Sequence, residues 1–225
     1  MERCNTSLMI KKKRRQLSKR TKANEKHQEV EESCDDTCEA GLVVTCENNH
    51  IYFYGDVNTE NILQLIKFIN TLNYKLRLED AELTIRHGSS PNMRIYLHIN
   101  SVGGFITDAL AGVDCIKKSK IPIVSIIEGC AASAATLLSV VANERHITQH
   151  SSMLIHQLSG SFWGTYEQMK DDFTNSTYLE DVTNNIYLEH THGKMNKKKL
   201  SKYLKRDLWW DAKKCKKLGL VDEIV

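Results

Sequence analysis

The segment Ile121–Leu138 constrains the fold more than any other, because a strand, a turn and a helix follow one another in it. β-branched residues dominate Ile121–Ile127, and Glu128 and Gly129 supply a turn. Small residues then surround Ser133 in the predicted helix. A serine on such a turn has its hydroxyl exposed beside the helix-start amides, which is how acyl-transfer enzymes present a nucleophile. The structural alternative is a small-residue helix packed closely against a sheet.

Two further motifs lie on either side of this segment. Upstream, Arg94–Asn100 predicts a strand that runs into a turn at Gly103 and Gly104, and a helix follows over Thr107–Lys118. Because glycine lets the backbone approach a ligand closely, the amide of Gly104 can point at a bound oxyanion. Downstream, His156 ends a short apolar strand, where loops at a sheet edge collect catalytic groups. Each motif alone also has an ordinary explanation, as a plain strand-to-helix turn or as a structural histidine.

In this order and spacing the motifs resemble the proteolytic subunit of the Clp protease family, a self-compartmentalised serine peptidase. The resemblance covers roughly Ile51 to Val225, including a closing helix and strand after Asp211. The matching motifs are Ile99–Gly104, Gly129–Ser133, Met153–Gln157 and Arg206–Trp210. Four motifs in register are far more specific than any one of them.

Two departures from the family pattern concern the predicted site. Val102 replaces the family's proline before the paired glycines, and Ala134 and Ala135 replace a Met-Gly pair after the serine. A compatible proline stabilises by only about 0.4–1 kcal/mol, whereas losing an oxyanion donor costs about 2.7–4 kcal/mol of barrier. Since both substitutions leave the backbone amides in place, we expect both to be tolerated.

The resemblance implies a Ser-His-Asp mechanism. Ser133 would be the nucleophile, His156 the general base and Asp207 the carboxylate that orients the histidine. The amides of Gly104 and Ala134 would form the oxyanion hole. No metal or cofactor is expected, and ATP would be used only by a partner unfoldase.

The resemblance also implies how a peptide binds. A substrate would add as an extended strand between the segment after the paired glycines and the segment after the histidine. The substrate-binding residues would be Phe105, Ile106, Leu158, Ser159, Gly160 and Ser161. Main-chain hydrogen bonds would give the affinity, so selectivity would be modest and protection would come from enclosure.

Repeated strand-turn-helix units predict an α/β fold with a largely parallel sheet, and the resemblance implies the Clp/crotonase-like spiral. Strands are predicted over Leu42–Cys46 and Ile51–Tyr54, and a first helix near Glu60–Asn73. The segment Tyr74–Asn92 is longer than is usual in the family and is predicted as a loop. A long helix over Tyr166–His192 would project as a handle.

The expected partners follow from the resemblance. The handle would join two stacked seven-membered rings of this chain. An ATP-driven unfoldase would dock in apolar clefts lined by tyrosines on the strand before the glycine turn. Tyr96 matches one tyrosine, but His98 stands at the other position, so we expect weak or specialised docking.

Charge is distributed unevenly along the chain of 225 residues, whose net charge is +3. Residues 1–26 hold ten Lys and Arg against two Glu. Residues 1–35 are therefore predicted as a basic, disordered extension, and 36–225 as the peptidase domain with its handle at about 158–192. The extension has several possible roles: a solvated tail or propeptide, a nuclear or organelle targeting signal, or a nucleic-acid patch. For the whole protein, a nucleic-acid partner is not expected.

Seven cysteines, an odd number, with no secretory signal favour a reducing compartment, and we expect the cytoplasm unless the basic extension targets an organelle or the nucleus. No run approaches the roughly 18 apolar residues of a membrane span. Cys34, Cys38 and Cys46 have a spacing that metal sites use, but no second paired motif accompanies them. We therefore predict that they bind no metal.

Two other functions remain open. A crotonase-type enzyme on the same fold would bind acyl-coenzyme A and use two backbone amides without needing the serine, histidine and aspartate together. A non-catalytic ring subunit would shape the particle or bind a partner. Such subunits typically lose a triad residue, and all three are present here.

Overall fold

The computed structural model describes residues 44–89 and 92–225, so the predicted extension over residues 1–35 lies outside the described residues. The strands are β1 (Val44–Glu47), β2 (His50–Phe53), β3 (Ile95–Ser101), β4 (Ile123–Ala132), β5 (Glu144–Ile147), β6 (Ser152–Leu154), β7 (Trp210–Asp211) and β8 (Glu223–Ile224). The helices are α1 (Thr59–His87), α2 (Ile106–Lys118), α3 (Ala134–Val140), α4 (Tyr166–His190), α5 (Lys197–Leu204) and α6 (Ala212–Leu218).

The strands form one mixed sheet in the order β1-β2-β3-β4-β5-β8. The hairpin β1–β2 is antiparallel, and the pairs β2–β3, β3–β4, β4–β5 and β5–β8 are all parallel. Helices α1, α2 and α3 connect successive parallel strands, as repeated strand-helix-strand units require. The α/β fold class predicted from the sequence is confirmed.

Burial of one face explains why alternate residues of the parallel strands are so apolar. Ile95, Leu97 and Ile99 of β3 are fully buried, as are Ile123 and Ile127 of β4. Successive side chains of a strand point to opposite faces, and Ile95 pairs with Ile123 and Ile99 with Ile127, so these residues share one face of the sheet. The run that predicted a strand in the sequence is β4, which lies between β3 and β5 in the sheet.

Helix α1 is longer than predicted, and it replaces the loop expected over Tyr74–Asn92 as far as His87. It begins after the N-cap Asn58, whose side chain accepts a hydrogen bond from the Asn61 amide at 2.9 Å, and ends at Gly88 with φ 71°. No residue of the helix after Leu76 is buried. Helix-forming residues without glycine or proline continue the helix across the surface until Gly88 offers a left-handed cap.

The turn predicted at Glu128 and Gly129 is an irregularity inside β4 and not the end of the strand. Ile99 pairs with Ile127, but Ser101 pairs with Ala131, so β4 carries two extra residues there. Gly129 has φ 82° at this point. The bend transfers β4 from β5 to β6, since Cys130–Ala132 pair with Ser152–Leu154.

Helix α4 confirms the long helix predicted over Tyr166–His192, but only its C-terminal end is buried. A capping box between Thr165 and Gln168 starts it. Ile186 and Tyr187 are the buried residues of the helix. The described residues include no helix with both the length and the apolar character to cross a membrane.

Candidate active site

Ser133 lies at the junction of β4 and α3 in a strained backbone conformation. Its φ of 54° and ψ of −130° are unusual for a residue other than glycine. The Ser133 amide donates to the Leu154 carbonyl of β6 at 2.8 Å, which fixes the junction to the next strand. Its side chain is half-buried. The sharp strand-to-helix turn predicted from the sequence is present, and the serine stands at its apex.

The paired-glycine turn packs directly behind this serine. A Cβ at Gly103, where φ is 100°, would lie 2.7 Å from Ser133 Cβ and 2.7 Å from the Ala132 carbonyl oxygen. A Cβ at Gly104, where φ is 152°, would lie 2.1 Å from the Val57 carbonyl oxygen. Both positions therefore require glycine, for space as well as for backbone conformation.

Two amides beside Ser133 remain without acceptors. Within residues 44–89 and 92–225, neither the Gly104 amide nor the Ala134 amide donates a hydrogen bond. Both residues line the same cavity as Ser133. Unpaired amides at a helix start and a glycine turn can bind a negatively charged oxygen.

A cavity of about 170 Å³ opens beside the serine and gathers most of the predicted site. Its lining includes Ser133, His156, Gly104, Ala134, Phe105, Ile106, Leu158 and Ser159. The predicted substrate residues Gly160 and Ser161 are exposed and do not line it. The structure therefore brings together the predicted nucleophile, base and oxyanion amides, and four of the six predicted substrate residues.

The predicted triad carboxylate lies apart from this cavity. Asp207 is exposed in the segment between α5 and β7. On either side of it in the chain, the Leu208 amide donates a hydrogen bond to the Arg206 carbonyl at 3.0 Å. His156 is half-buried just after β6. No hydrogen bond within the part of the chain that the structure describes joins His156 to Asp207 or to Ser133.

The strand register nevertheless brings the histidine and the aspartate segments side by side. In the antiparallel pair β6–β7, Met153 lies opposite Trp210 and Ser152 opposite Asp211. Three more residues of the same register would set His156 opposite Asp207. The pairing departs from this register further on, because the Gln157 amide donates to the Leu204 carbonyl at 2.8 Å.

Helix α4 supplies cavity residues that sequence reasoning missed. Glu180, Thr183, Asn184 and Tyr187 of this helix line the cavity together with the glycine turn. Their spacing of three, one and three residues places them on one face of a helix, and this periodicity was the signal that could have identified them. What the sequence did not show is that this face turns toward Ser133.

Tyr187 connects α4 to the serine turn by hydrogen bonds. Thr136 Oγ1 donates to the Ser133 carbonyl at 2.6 Å, so the Tyr187 hydroxyl, 2.6 Å from Thr136 Oγ1, is the donor in that contact. Burial raises the pKa of Tyr187 to about 12. The hydroxyl is therefore protonated at neutral pH and holds the helix against the start of α3.

Tyr96 and His98 lie in an aromatic and polar cluster on the sheet, away from the cavity. His98 is only 8% exposed, and its Nδ1 lies 2.9 Å from Glu128 Oε1 and its Nε2 lies 2.9 Å from His50 Nδ1. Tyr96 is half-buried and stacks on His50, with ring centroids 4.7 Å apart. Because little of the His98 side chain is exposed, it affects the surface around Tyr96 mainly by positioning Glu128 and His50.

Glu128 is the carboxylate of this cluster and also accepts a hydrogen bond from Tyr54. Burial acts to raise the pKa of Glu128, but the hydrogen bonds from Tyr54 and His98, together with attraction to His98 and His50, keep the pKa below its usual value. Burial, together with the bond to Glu128, raises the pKa of Tyr54 to about 12. Burial lowers the pKa of His50, and the neighbouring His98 lowers it further.

Metal ligands do not cluster in the described part of the chain. No group of three His, Cys, Asp or Glu side chains within residues 44–89 and 92–225 is arranged to hold an ion. Cys46 lies in β1, and Cys34 and Cys38 fall outside the described residues.

Similarity to known proteins extends over most of the chain. Residues 46–225 match the family described as Clp protease. Among solved structures, the chain is similar to a mutant ClpP1 from Listeria monocytogenes, with a TM-score of 0.66 and 22% sequence identity. The match covers 79% of this chain and 91% of that chain. At this identity the structural likeness shows a common fold.

Proposed function

Because this chain belongs to the Clp protease family, as the match over residues 46–225 shows, we propose that it is a serine endopeptidase that cleaves short or unfolded peptides inside an oligomeric ring. Family membership supports a peptidase, and proteins of this family generally form such rings. One observation carries the serine mechanism. Ser133, on a strained strand-to-helix turn, lines one cavity with His156 and with two amides that have no acceptor among the described residues.

In the proposed mechanism, Ser133 Oγ attacks the scissile carbonyl carbon while its proton passes to His156. The amides of Gly104 and Ala134 stabilise the resulting oxyanion. The carbon–nitrogen bond then breaks, and His156 returns the proton to the leaving amine. Water, deprotonated by the same histidine, attacks the acyl-enzyme and releases the acid and the free serine. The chemistry requires no metal or cofactor.

Asp207 is proposed to orient His156 in the assembled particle. The β6–β7 pairing supports this role, because its register would set the two residues opposite each other if it continued past Met153 and Trp210. The exposed segment between α5 and β7 would have to move from its present pairing, in which the Gln157 amide donates to the Leu204 carbonyl, to bring the carboxylate to the imidazole. Catalytic hydrogen bonds are often long in free enzymes and shorten only when substrate binds.

A substrate is proposed to bind as an added strand beside Phe105 and Ile106 on one side and Leu158 and Ser159 on the other, all of which line the cavity. Gly160 and Ser161, which lie outside the cavity, would contact the more distant part of the peptide. Such main-chain recognition tolerates many sequences.

We propose two stacked heptameric rings joined through α4, with an ATP-driven unfoldase as a further partner. The cluster around Tyr96 and His98 is the proposed docking surface, and ATP would be used by the unfoldase alone. The burial of His98 and its bonds to Glu128 and His50 support weak or specialised docking. A reducing compartment such as the cytoplasm remains the proposal for its location.

A non-catalytic ring subunit is the second candidate, favoured by the position of Asp207 outside the cavity. The two candidates differ in whether Ser133 is nucleophilic. A fluorophosphonate probe followed by peptide mass spectrometry separates them, since only an activated serine is labelled.

The decisive experiment compares Ser133→Ala with Ser152→Ala, a half-buried β6 serine outside the cavity. We expect Ser133→Ala to abolish labelling and peptide hydrolysis, apart from a trace, while leaving fold and assembly intact. Removing one hydroxyl opens no cavity but takes away the nucleophile. Ser152→Ala should keep both activities. If Ser133→Ala kept a tenth of wild-type turnover, the assignment would be wrong.

A further inference from the structure

Among the residues that the structure describes, the lining of the cavity beside Ser133 includes one carboxylate and no lysine or arginine. The carboxylate is Glu180 of α4, and no basic side chain within residues 44–89 and 92–225 pairs with it. The ion pairs of this helix lie elsewhere, between Glu167 and Lys170 at 3.0 Å and between Glu189 and Lys117 at 3.8 Å. The cavity therefore presents an unpaired negative charge to whatever enters it.

Further acceptor atoms accompany this charge on the same helix face. The Asn184 side chain makes no hydrogen bond within the described residues, and its Oδ1 is buried without a partner. Thr183 Oγ1 donates to the Glu180 carbonyl at 2.9 Å, which leaves its lone pairs free to accept. Since no internal bond fixes the Asn184 amide, it can turn toward a donor at no cost in existing hydrogen bonds.

The rest of the cavity is suited to a long apolar stem. Ile106, Leu137 and Leu158 are apolar residues of its lining. Its volume of about 170 Å³ is comparable with cavities of ~150 Å³ that hold one benzene-sized group. Lysine and arginine side chains combine an apolar stem with a cationic end that donates several hydrogen bonds.

We propose that this site selects peptides with lysine or arginine at the residue whose carbonyl Ser133 attacks, and that Glu180 is the specificity residue. This inference rests on the proposed peptidase function and adds a substrate class to it. The stem lies along the apolar wall, the ammonium or guanidinium meets Glu180, and Thr183 and Asn184 accept its remaining hydrogens. Because Glu180 is exposed to solvent, its attraction for the cation is modest.

The test uses the purified full chain and fluorogenic peptides that differ only at this residue, with lysine, norleucine or glutamate. Norleucine is a neutral side chain with a similar apolar stem. For the wild type we expect kcat/KM for lysine to exceed that for norleucine by about three- to tenfold, falling toward parity in 1 M salt. Glu180→Gln should bring the ratio near one, and Glu180→Lys should favour the glutamate peptide.

Asp181→Asn is the matched control, because Asp181 is the adjacent exposed carboxylate and does not line the cavity. It should keep the wild-type ratio. A wild type without preference for lysine, or a Glu180→Gln variant with an unchanged ratio, would overturn the inference while leaving the peptidase proposal intact. If no peptide were cleaved and the fluorophosphonate probe did not label Ser133, the specificity inference and the peptidase proposal would both be wrong.

Discussion

At the residue scale, the candidate site depends on backbone positions as much as on side chains. Ser133 adopts a φ of 54°, and such strain of about 1–3 kcal/mol persists only where the surroundings enforce it. The surroundings here are the Leu154 carbonyl, which accepts from the Ser133 amide, and the Gly103 backbone, which lies directly against the serine. The position of the serine thus follows from how β4, β6 and the glycine turn meet.

Gly103→Ala tests this dependence. The new Cβ would meet Ser133 Cβ and the Ala132 carbonyl oxygen at 2.7 Å, at a φ of 100°. We expect a loss of ~2–5 kcal/mol in the free energy of unfolding, from backbone strain and overpacking together. Displacement of Ser133 should also lower kcat/KM by about a hundredfold. Urea denaturation and peptide hydrolysis measure the two effects.

Gly193→Ala is the control for backbone strain alone, since φ is 74° there and a Cβ would meet nothing within 4 Å. It should lower the free energy of unfolding by only ~1–2 kcal/mol and leave peptide hydrolysis unchanged. Equal losses for the two alanine variants would show that Gly103 does not support the serine.

Sequence reasoning at this scale was strongest where a motif is local. The paired glycines and the serine turn are contiguous in sequence, so their residues could be named in advance. Glu180 and Asn184 could not, because they reach the cavity only through the docking of α4 on α3 by Tyr187 and Thr136. The role of Asp207 stays a prediction, since the register of β6 and β7 would align it with His156 only if it continued, and no bond joins them among the described residues.

At the element scale, a buried arginine ties the end of the sheet to the C-terminal segments. Arg145 of β5 is 2% exposed and donates to the carbonyls of His190 and Gly219 and to the carboxylate of Asp222. It therefore joins the end of α4, the end of α6 and the segment before β8. Burial acts to raise the pKa of Asp222, but hydrogen bonds and attraction from Arg145 outweigh it and keep the pKa below its usual value.

Asp222→Asn should therefore destabilise the protein by ~1–3 kcal/mol at pH 7, because it leaves a buried guanidinium without its counter-charge. The stabilisation from a carboxylate of lowered pKa is present above its unfolded pKa of about 3.9 and is lost as pH falls through the folded pKa. The difference between wild type and variant should accordingly shrink below about pH 4. Urea denaturation across pH 3–7 measures it.

Glu189→Gln is the control for this prediction, because the Lys117–Glu189 pair is solvent-exposed on both sides. It should change the free energy of unfolding by no more than ~1 kcal/mol. A constant difference between wild type and Asp222→Asn down to pH 3 would contradict the assigned role of the carboxylate.

Element boundaries were the part of the fold that the sequence determined least. Helix α1 continues to His87 because local propensity favours it where no packing opposes it, and no pattern of buried residues marks its last turns. The irregularity at Gly129 is a bend in β4 because β6 receives the strand beyond it. A glycine that ends a strand and one that bends it look the same until the partner strand is known.

At the scale of the whole molecule, the first part of α4 is an apolar surface that residues 44–89 and 92–225 leave exposed. Tyr166, Met169 and Phe173 are 72%, 51% and 72% exposed. Their spacing of three and four residues places them on one face of the helix. Exposed apolar stripes of this kind mark interaction sites, which supports α4 as the ring-to-ring contact that we propose. The C-terminal part of the helix instead lines the cavity and enters the core.

This division predicts how assembly can be disrupted without damaging the site. Deleting residues 168–190 would remove Tyr187 and the cavity lining together with the exposed stripe, so substitutions are the sharper test. We expect Met169→Gln with Phe173→Gln to give single rings or smaller species in sedimentation velocity, because apolar area that drives pairing is lost.

Tyr178→Gln is the control, since Tyr178 is 68% exposed but lies about 140° around the helix from Phe173. It should sediment like the wild type, and both variants should keep the thermal stability of the wild type. An unchanged particle size in the double variant would place the ring-to-ring contact elsewhere on the molecule.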